Sequence, residues 1–158
     1  MTKNYALITG STAGIGLDIA RELASRGHNI LLTARREDRL KDIAERLTLD
    51  FGVHTDYVVA DLSEPSAPGT IFSFCDSHQY AVNILVNNAG YSINKKFHET
   101  GEEEEEKFLR VLGTSIVALT KRFIPGMLKH KSGKIMLVSS LAAFAPPAKG
   151  WGALYGPV

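Results

Sequence analysis

The sequence predicts an α/β fold, a doubly wound parallel sheet with helices on both faces and strand order 3-2-1-4-5. Three observations predict it. Five short apolar runs alternate with amphipathic stretches of helical period. A glycine-rich turn, Gly10-Ser11-Thr12-Ala13-Gly14-Ile15-Gly16, joins the first run to the first helix. Neither an internal repeat nor a linker divides the chain, so its 158 residues, 44% of them hydrophobic, form one domain over residues 1–158.

The elements follow in order. Residues 5–9 are a short buried strand, and residues 14–26 a helix with Ile15, Ile19, Leu23 and Ala24 on one face and Gly27 as its stop. Residues 30–33 are the second strand. A helix over residues 37–50 carries Leu40, Ile43, Ala44 and Leu47 at helical spacing and stops at Gly52. Residues 56–59 are strand three, 65–78 a helix and 83–86 strand four. A long helix is expected over residues 102–129, kinked or split by Pro125. Residues 134–139 are strand five, and residues 142–152 a loop rich in alanine, proline and glycine.

Composition excludes several function classes. A formal net charge of +1 argues against nucleic acid as the main partner. No uninterrupted apolar run reaches the roughly 20 residues that span a bilayer. The N-terminus leads straight into a strand without a secretory pattern. Cytoplasmic localisation is the expectation. Cys75, the single cysteine, reads as core packing. The five histidines show no metal-ligand spacing, so no metal site is expected. The run Glu102-Glu103-Glu104-Glu105-Glu106 reads as a helix start, where carboxylates interact favourably with the dipole.

The glycine turn carries the first functional reading. A pyrophosphate needs close backbone approach, N–H donors and a helix N-terminus, and Gly10, Ser11, Thr12, Gly14, Ile15 and Gly16 lie where a strand meets a helix. The end of strand two selects the cofactor. A carboxylate there would bond the ribose hydroxyls of NAD, whereas this chain has Thr33-Ala34-Arg35-Arg36 and no acid before Glu37. A guanidinium fork suits a 2′-phosphate, so Arg35 and Arg36 point to NADP(H), Arg35 the more strongly.

Thr9-Gly10-x-x-x-Gly14-x-Gly16, Asp61-Leu62, Asn87-Asn88-Ala89-Gly90, Ser139-Ser140 and Tyr155 stand in this order along the chain. On these motifs the chain resembles the short-chain dehydrogenase/reductase family in its single-domain form. Ala34-Arg35-Arg36-Glu37 and Phe123-Ile124-Pro125-Gly126-Met127 look like its NADP-dependent members. The resemblance covers the whole chain. It implies a Rossmann fold and reversible hydride transfer between NADP(H) and a small-molecule carbonyl or secondary alcohol, with no nucleic-acid or membrane partner and a homo-oligomeric parent protein. It implies that Asp61 and Leu62 contact the adenine, that Asn88, Ala89 and Gly90 line the cofactor cleft, and that Asn87 to Gly90 support the sheet. Ser140 would polarise the substrate oxygen and Tyr155 exchange its proton.

The chain departs from the family pattern at two places. The pattern is Tyr-x-x-x-Lys, and Tyr155-Gly156-Pro157-Val158 ends before the lysine. Bringing a tyrosine from a pKa of about 10 near neutrality takes roughly 4 kcal/mol of preferential phenolate stabilisation, much of which that ammonium would supply. Aligning on Phe123 to Met127 also puts Leu112 where the family has an asparagine in a water-mediated proton path. The expectation is therefore a C-terminally truncated, nearly inactive piece of a longer enzyme, without the later strands and helices that cover strand five. The alternatives are a non-catalytic NADP-binding protein and a non-functional remnant. Phe144, Trp151 and Leu154 read equally as pocket lining or as packing.

Overall fold

The computed structural model describes residues 3–144. Tyr155, Trp151 and Leu154 lie outside the described residues. Five strands form one parallel sheet: β1 (Lys3–Thr9), β2 (Asn29–Ala34), β3 (Thr55–Val59), β4 (Tyr80–Asn87) and β5 (Lys134–Leu137). Their order is β3-β2-β1-β4-β5, as the alternation of runs predicts. The helices are α1 (Gly14–Ser25), α2 (Glu37–Phe51), α3 (Ala67–Ser77), α4 (Glu102–Leu109) and α5 (Ser115–Lys129).

Both sheet faces are covered, which explains why the central strands read as continuous apolar runs. On β1 the pleat sends Tyr5 and Leu7 to one face, where Leu31, Ile71, Leu85 and Leu119 join them. Ala6 and Ile8 go to the other, among Ala20, Leu32, Leu40 and Val86. Leu7, Leu31 and Leu85 are fully buried. Truncating such a leucine to alanine typically costs about 2–5 kcal/mol. Cys75 is buried in the α3 face of the core, and burial pushes its thiol up to about 12.

Several boundaries differ from the periodicity. β4 begins three residues earlier than expected because Tyr80 is tied down: its Oη donates to Asp56 Oδ2 at 2.9 Å and its ring stacks on Tyr5 at 4.0 Å. The β1–β4 register slips between Tyr5 and Ala6, leaving Asn83 unpaired in the ladder. β5 ends at Leu137, so Ser139 and Ser140 follow the strand, and a 3-10 turn, Leu141–Ala143, opens the expected loop.

The long helix is broken, but not at proline. Pro125 sits inside α5 without ending it. Pro125 and Lys121, whose carbonyl the missing N–H would have reached, are both exposed, so the lost bond falls on the solvent side of the helix. The interruption is instead a π-turn, Arg110–Thr114, between α4 and α5. Ser115 N–H reaches back to Arg110 O, and the Ser115 hydroxyl donates to Val111 O at 2.9 Å. The run Glu102–Lys129 is long and apolar enough by composition to cross a membrane. It opens on five glutamates and packs Val111, Leu119, Phe123 and Met127 into the core, as a core-side helix does.

Candidate functional site: a nucleotide cleft at the carboxyl ends of the strands

At the carboxyl ends of β1, β2, β4 and β5 lies a cleft of about 1460 Å3. It opens where the strand order reverses between β1 and β4, which is where open α/β sheets hold ligands. Of the residues singled out by sequence, Gly10, Thr12, Ile15, Arg35, Arg36, Asp61, Leu62, Asn88, Ala89, Gly90 and Ser140 line it. Ser11, Gly14 and Gly16 do not. Ser11 is fully buried with its hydroxyl directed to Thr33 O at 3.4 Å, and Gly16 is buried beneath the turn.

The glycine turn is shaped by steric necessity. Gly10 has φ +66°, and its N–H donates to Thr33 O at 2.9 Å. A Cβ on Gly10 would stand 2.8 Å from Ala89 Cα, and one on Gly16 would stand 2.5 Å from Gly10 O. The turn leads into α1, whose N-terminus carries no side-chain cap and no acidic residue in its first turn. Its first N–H groups therefore face the cleft rim without a competing carboxylate, the arrangement an anion requires.

Thr9 locks this turn to β4, and the sequence reading gave it no site role. Its Oγ1 accepts N–H bonds from Asn88 at 2.9 Å and Ala89 at 3.0 Å and donates to Val86 O at 3.3 Å. The Asn88 amide donates in turn to Thr9 O at 3.0 Å and Gly10 O at 3.2 Å. Asn88 therefore braces the turn, and it is Ala89 and Gly90 that present backbone to the cleft. The available signal was a polar residue closing an otherwise apolar strand.

The two arginines differ. Arg36 Nη2 donates to Thr12 Oγ1 at 3.1 Å, pinning it to the glycine turn. Arg35 is exposed on the cleft wall. Opposite, Asp61 Oδ1 accepts from Ser63 N–H at 2.9 Å, and Arg110 Nη1 reaches Ser63 O at 3.3 Å, fixing this loop to the π-turn. The π-turn places Leu112 in the wall with its Cδ2 2.9 Å from where a Gly90 Cβ would stand. Leucine thus occupies this wall by packing alone.

At the other end of the cleft, Val138 N–H donates to Asn87 O at 2.9 Å, which sets the start of the serine pair. Ser140 Oγ accepts from Ala142 N–H at 3.2 Å, capping the following 3-10 turn. Among the described residues no acceptor takes its hydroxyl hydrogen. Phe144 is 86% exposed. Among the described residues, the side-chain amide of Asn87, a residue 3% exposed, and the Thr33 hydroxyl are buried polar groups without hydrogen-bond partners on the cleft floor. Such groups cost stability and persist where a function holds them. A dinucleotide fits this donor set: close backbone approach at Gly10, an open helix N-terminus, arginines at the end of β2 and orphaned polar groups beneath.

Fold and cleft together define a doubly wound α/β protein of the dinucleotide-binding class. The family profile described as short chain dehydrogenase matches residues 4–156, and the chain belongs to that family. It is 34% identical to L-xylo-3-hexulose reductase of Hypocrea jecorina over 158 aligned residues, covering 87% of this chain and 52% of that protein. It is 32% identical to very-long-chain 3-oxoacyl-CoA reductase of Anas platyrhynchos, covering 90% of this chain and 46% of that one. L-sorbose reductase from Gluconobacter frateurii, solved with NADPH and L-sorbose, superposes with TM-score 0.91 at 32% identity, over 99% of this chain and 59% of that one. A short-chain dehydrogenase from Sphingobium yanoikuyae, solved with NADPH, gives TM-score 0.88 at 30% identity, over 98% and 59%. The chain spans about half the length of the curated relatives it matches.

Proposed function

We propose that the protein is the cofactor-binding part of an NADP(H)-dependent oxidoreductase acting on a carbonyl or secondary alcohol. One observation carries the cofactor choice: at the end of β2 the cleft wall offers the Arg35 guanidinium and no carboxylate. The NADPH complexes of similar structures support the same choice. The cofactor, when bound, supplies or accepts the hydride. The chain's own residues do the rest. Gly10, Ala89 and Gly90 leave room for the dinucleotide, the open N-terminus of α1 receives its pyrophosphate, and Asp61 and Leu62 flank its adenine. Arg35 holds the 2′-phosphate, with Arg36 recruited from Thr12. Ser140 donates its hydroxyl hydrogen to the substrate oxygen, and Tyr155 exchanges the proton there. A small-molecule substrate, a cytoplasmic setting and a homo-oligomeric whole protein go with this reading.

Titration with NADPH and NADH, followed by calorimetry, tests it. Arg35→Asp should weaken NADPH at least tenfold more than NADH, whereas equal loss of both would refute the 2′-phosphate assignment. A polypeptide of residues 1–158 contains Ser140 and Tyr155 without the motif lysine, so its turnover of ketones and aldehydes with NADPH should lie near background. Robust rates from it would overturn that expectation. A second reading, NADP binding without turnover, draws on Leu112 in the wall where the resembled family carries a polar side chain. Restoring the polar group by Leu112→Asn in an active longer form, with no change in rate, would count against any part for this position in proton transfer.

A further inference from the structure

Tyr91 follows the Asn88-Ala89-Gly90 backbone and lines the cleft. Its ring meets Phe108 of α4 edge-on, with centroids 5.4 Å apart and planes at 88°, and Phe108 is 1% exposed. The aromatic body is therefore anchored while 40% of the residue stays open to the cleft. Ala60 N–H donates to Ala34 O at 3.0 Å, which sets Arg35 beside the β3–α3 loop, and Arg110 ties that loop to the end of α4 through Ser63 O at 3.3 Å, so Arg35, Asp61, Glu104 and Lys107 border the cleft together with Tyr91. Both cations and both carboxylates are thus within electrostatic reach of one phenol, on the side of the cleft where Arg35 stands. Lys107 is already engaged by Glu103 at 2.7 Å, and Glu104 by Lys95 at 2.8 Å. With those charges paired, the group left to act is the phenol O–H, a neutral donor. Burial and the neighbouring Glu104 carboxylate raise its pKa and keep the proton on.

We infer that Tyr91 is a nucleotide-selecting residue whose O–H donates to the 2′-phosphate alongside Arg35. The inference rests on the NADP(H) reading above. A neutral donor suits this place because Arg35 and Lys107 are already matched by Asp61 and Glu104, so a dianionic phosphate gains a hydrogen bond without another charge on the protein. Phe108 holds the ring, so the donor is set before the ligand arrives.

The test uses the 158-residue chain and two adenosine fragments, 2′,5′-ADP and 5′-AMP, titrated by calorimetry into the native protein and into Tyr91→Phe. Phenylalanine keeps the contact with Phe108 and removes only the hydroxyl. The expected result is about a tenfold loss of 2′,5′-ADP affinity with 5′-AMP unchanged. Equal loss for both fragments would mean that the hydroxyl serves the shared adenosine, and no change for either would mean that it serves neither; both outcomes overturn the inference. If the native protein binds the two fragments equally, the NADP(H) reading itself fails. If it prefers 2′,5′-ADP and Tyr91→Phe keeps that preference, only the role of Tyr91 falls. Unchanged melting temperature of the variant confirms that the comparison is between folded proteins.

Discussion

At the residue scale, a single hydroxyl joins the glycine turn to the strand beside it. Thr9 Oγ1 is the acceptor for both Asn88 N–H and Ala89 N–H, and it sits on a residue that is 1% exposed. Valine has the same shape but no acceptor. Thr9→Val should therefore leave two partly buried N–H groups unpaired and cost about 2–4 kcal/mol. Urea unfolding should show the midpoint fall with an unchanged slope. Because those two amides shape the backbone that faces the cleft, NADPH affinity should fall with it. A variant as stable as the parent would show that water replaces the threonine. Gly16 belongs to the same assembly: a Cβ there would collide with Gly10 O and the Asn88 amide, so helix-to-turn packing requires glycine at this position.

At the scale of elements, the segment from Glu102 to Lys129 shows two different irregularities with different consequences. Pro125 lies on the exposed side of α5, where the lost hydrogen bond faces water. Pro125→Ala should restore that bond and stabilise the protein by about 1–2 kcal/mol, somewhat less than the full interior penalty of about 3 kcal/mol. Thermal unfolding measures it; a lowered melting temperature would mean that the proline ring packs against something essential. The π-turn is different, because it lies against the cleft. It rotates Leu112 toward Gly90 and leaves Val111 O to be taken by the buried Ser115 hydroxyl. Irregular helical turns of this kind collect at functional sites, and here the turn sets the position of one cleft wall.

At the scale of the whole molecule, the sheet is asymmetric along its strands. Its carboxyl end carries the cleft. Its amino end carries a hydrogen-bonded aromatic cluster in which Tyr5 Oη meets His54 Nδ1 at 2.8 Å and Tyr80 donates to Asp56. Burial, with Asp56 alongside, raises the pKa of Tyr5 and Tyr80 from the ordinary 10.0. In the unfolded chain these phenols ionise near 10, while in the folded protein they stay protonated to higher pH. The stability they contribute is thus complete below about pH 10 and is lost as pH rises through the folded values. Unfolding free energy should begin to decline above about pH 10, and Tyr80→Phe should flatten that decline. An identical alkaline limb in the variant would place the titrating group elsewhere. The sheet is also asymmetric across its strands, because β5 is exposed on both faces, with Met136 47% and Leu137 59% exposed. Met136→Lys should lower any self-association seen by sedimentation, as charges do on open edge strands.

The sequence alone determined the strand order, the place of the nucleotide turn and the chemistry of most of the cleft lining. Those features are local: apolar runs of strand length, glycines between a strand and a helix, and arginines where a carboxylate would otherwise stand. It also placed Leu112 where the resembled family carries an asparagine, by alignment on Phe123 to Met127. Tertiary structure alone decided the rest. Pro125 reads as the break in the helix, yet it lies on the solvent side of α5, and the break moves to the π-turn. Arg35 and Arg36 are neighbours in sequence, and only the Thr12 bond separates their roles. Thr9 shows in the sequence only as a polar residue closing an apolar strand, and Tyr91 carries no local signature, because their importance comes from partners 77 to 80 residues away in the first case and from three surrounding elements in the second. Contacts of that span are set by how the strands and helices pack, which no window of sequence contains.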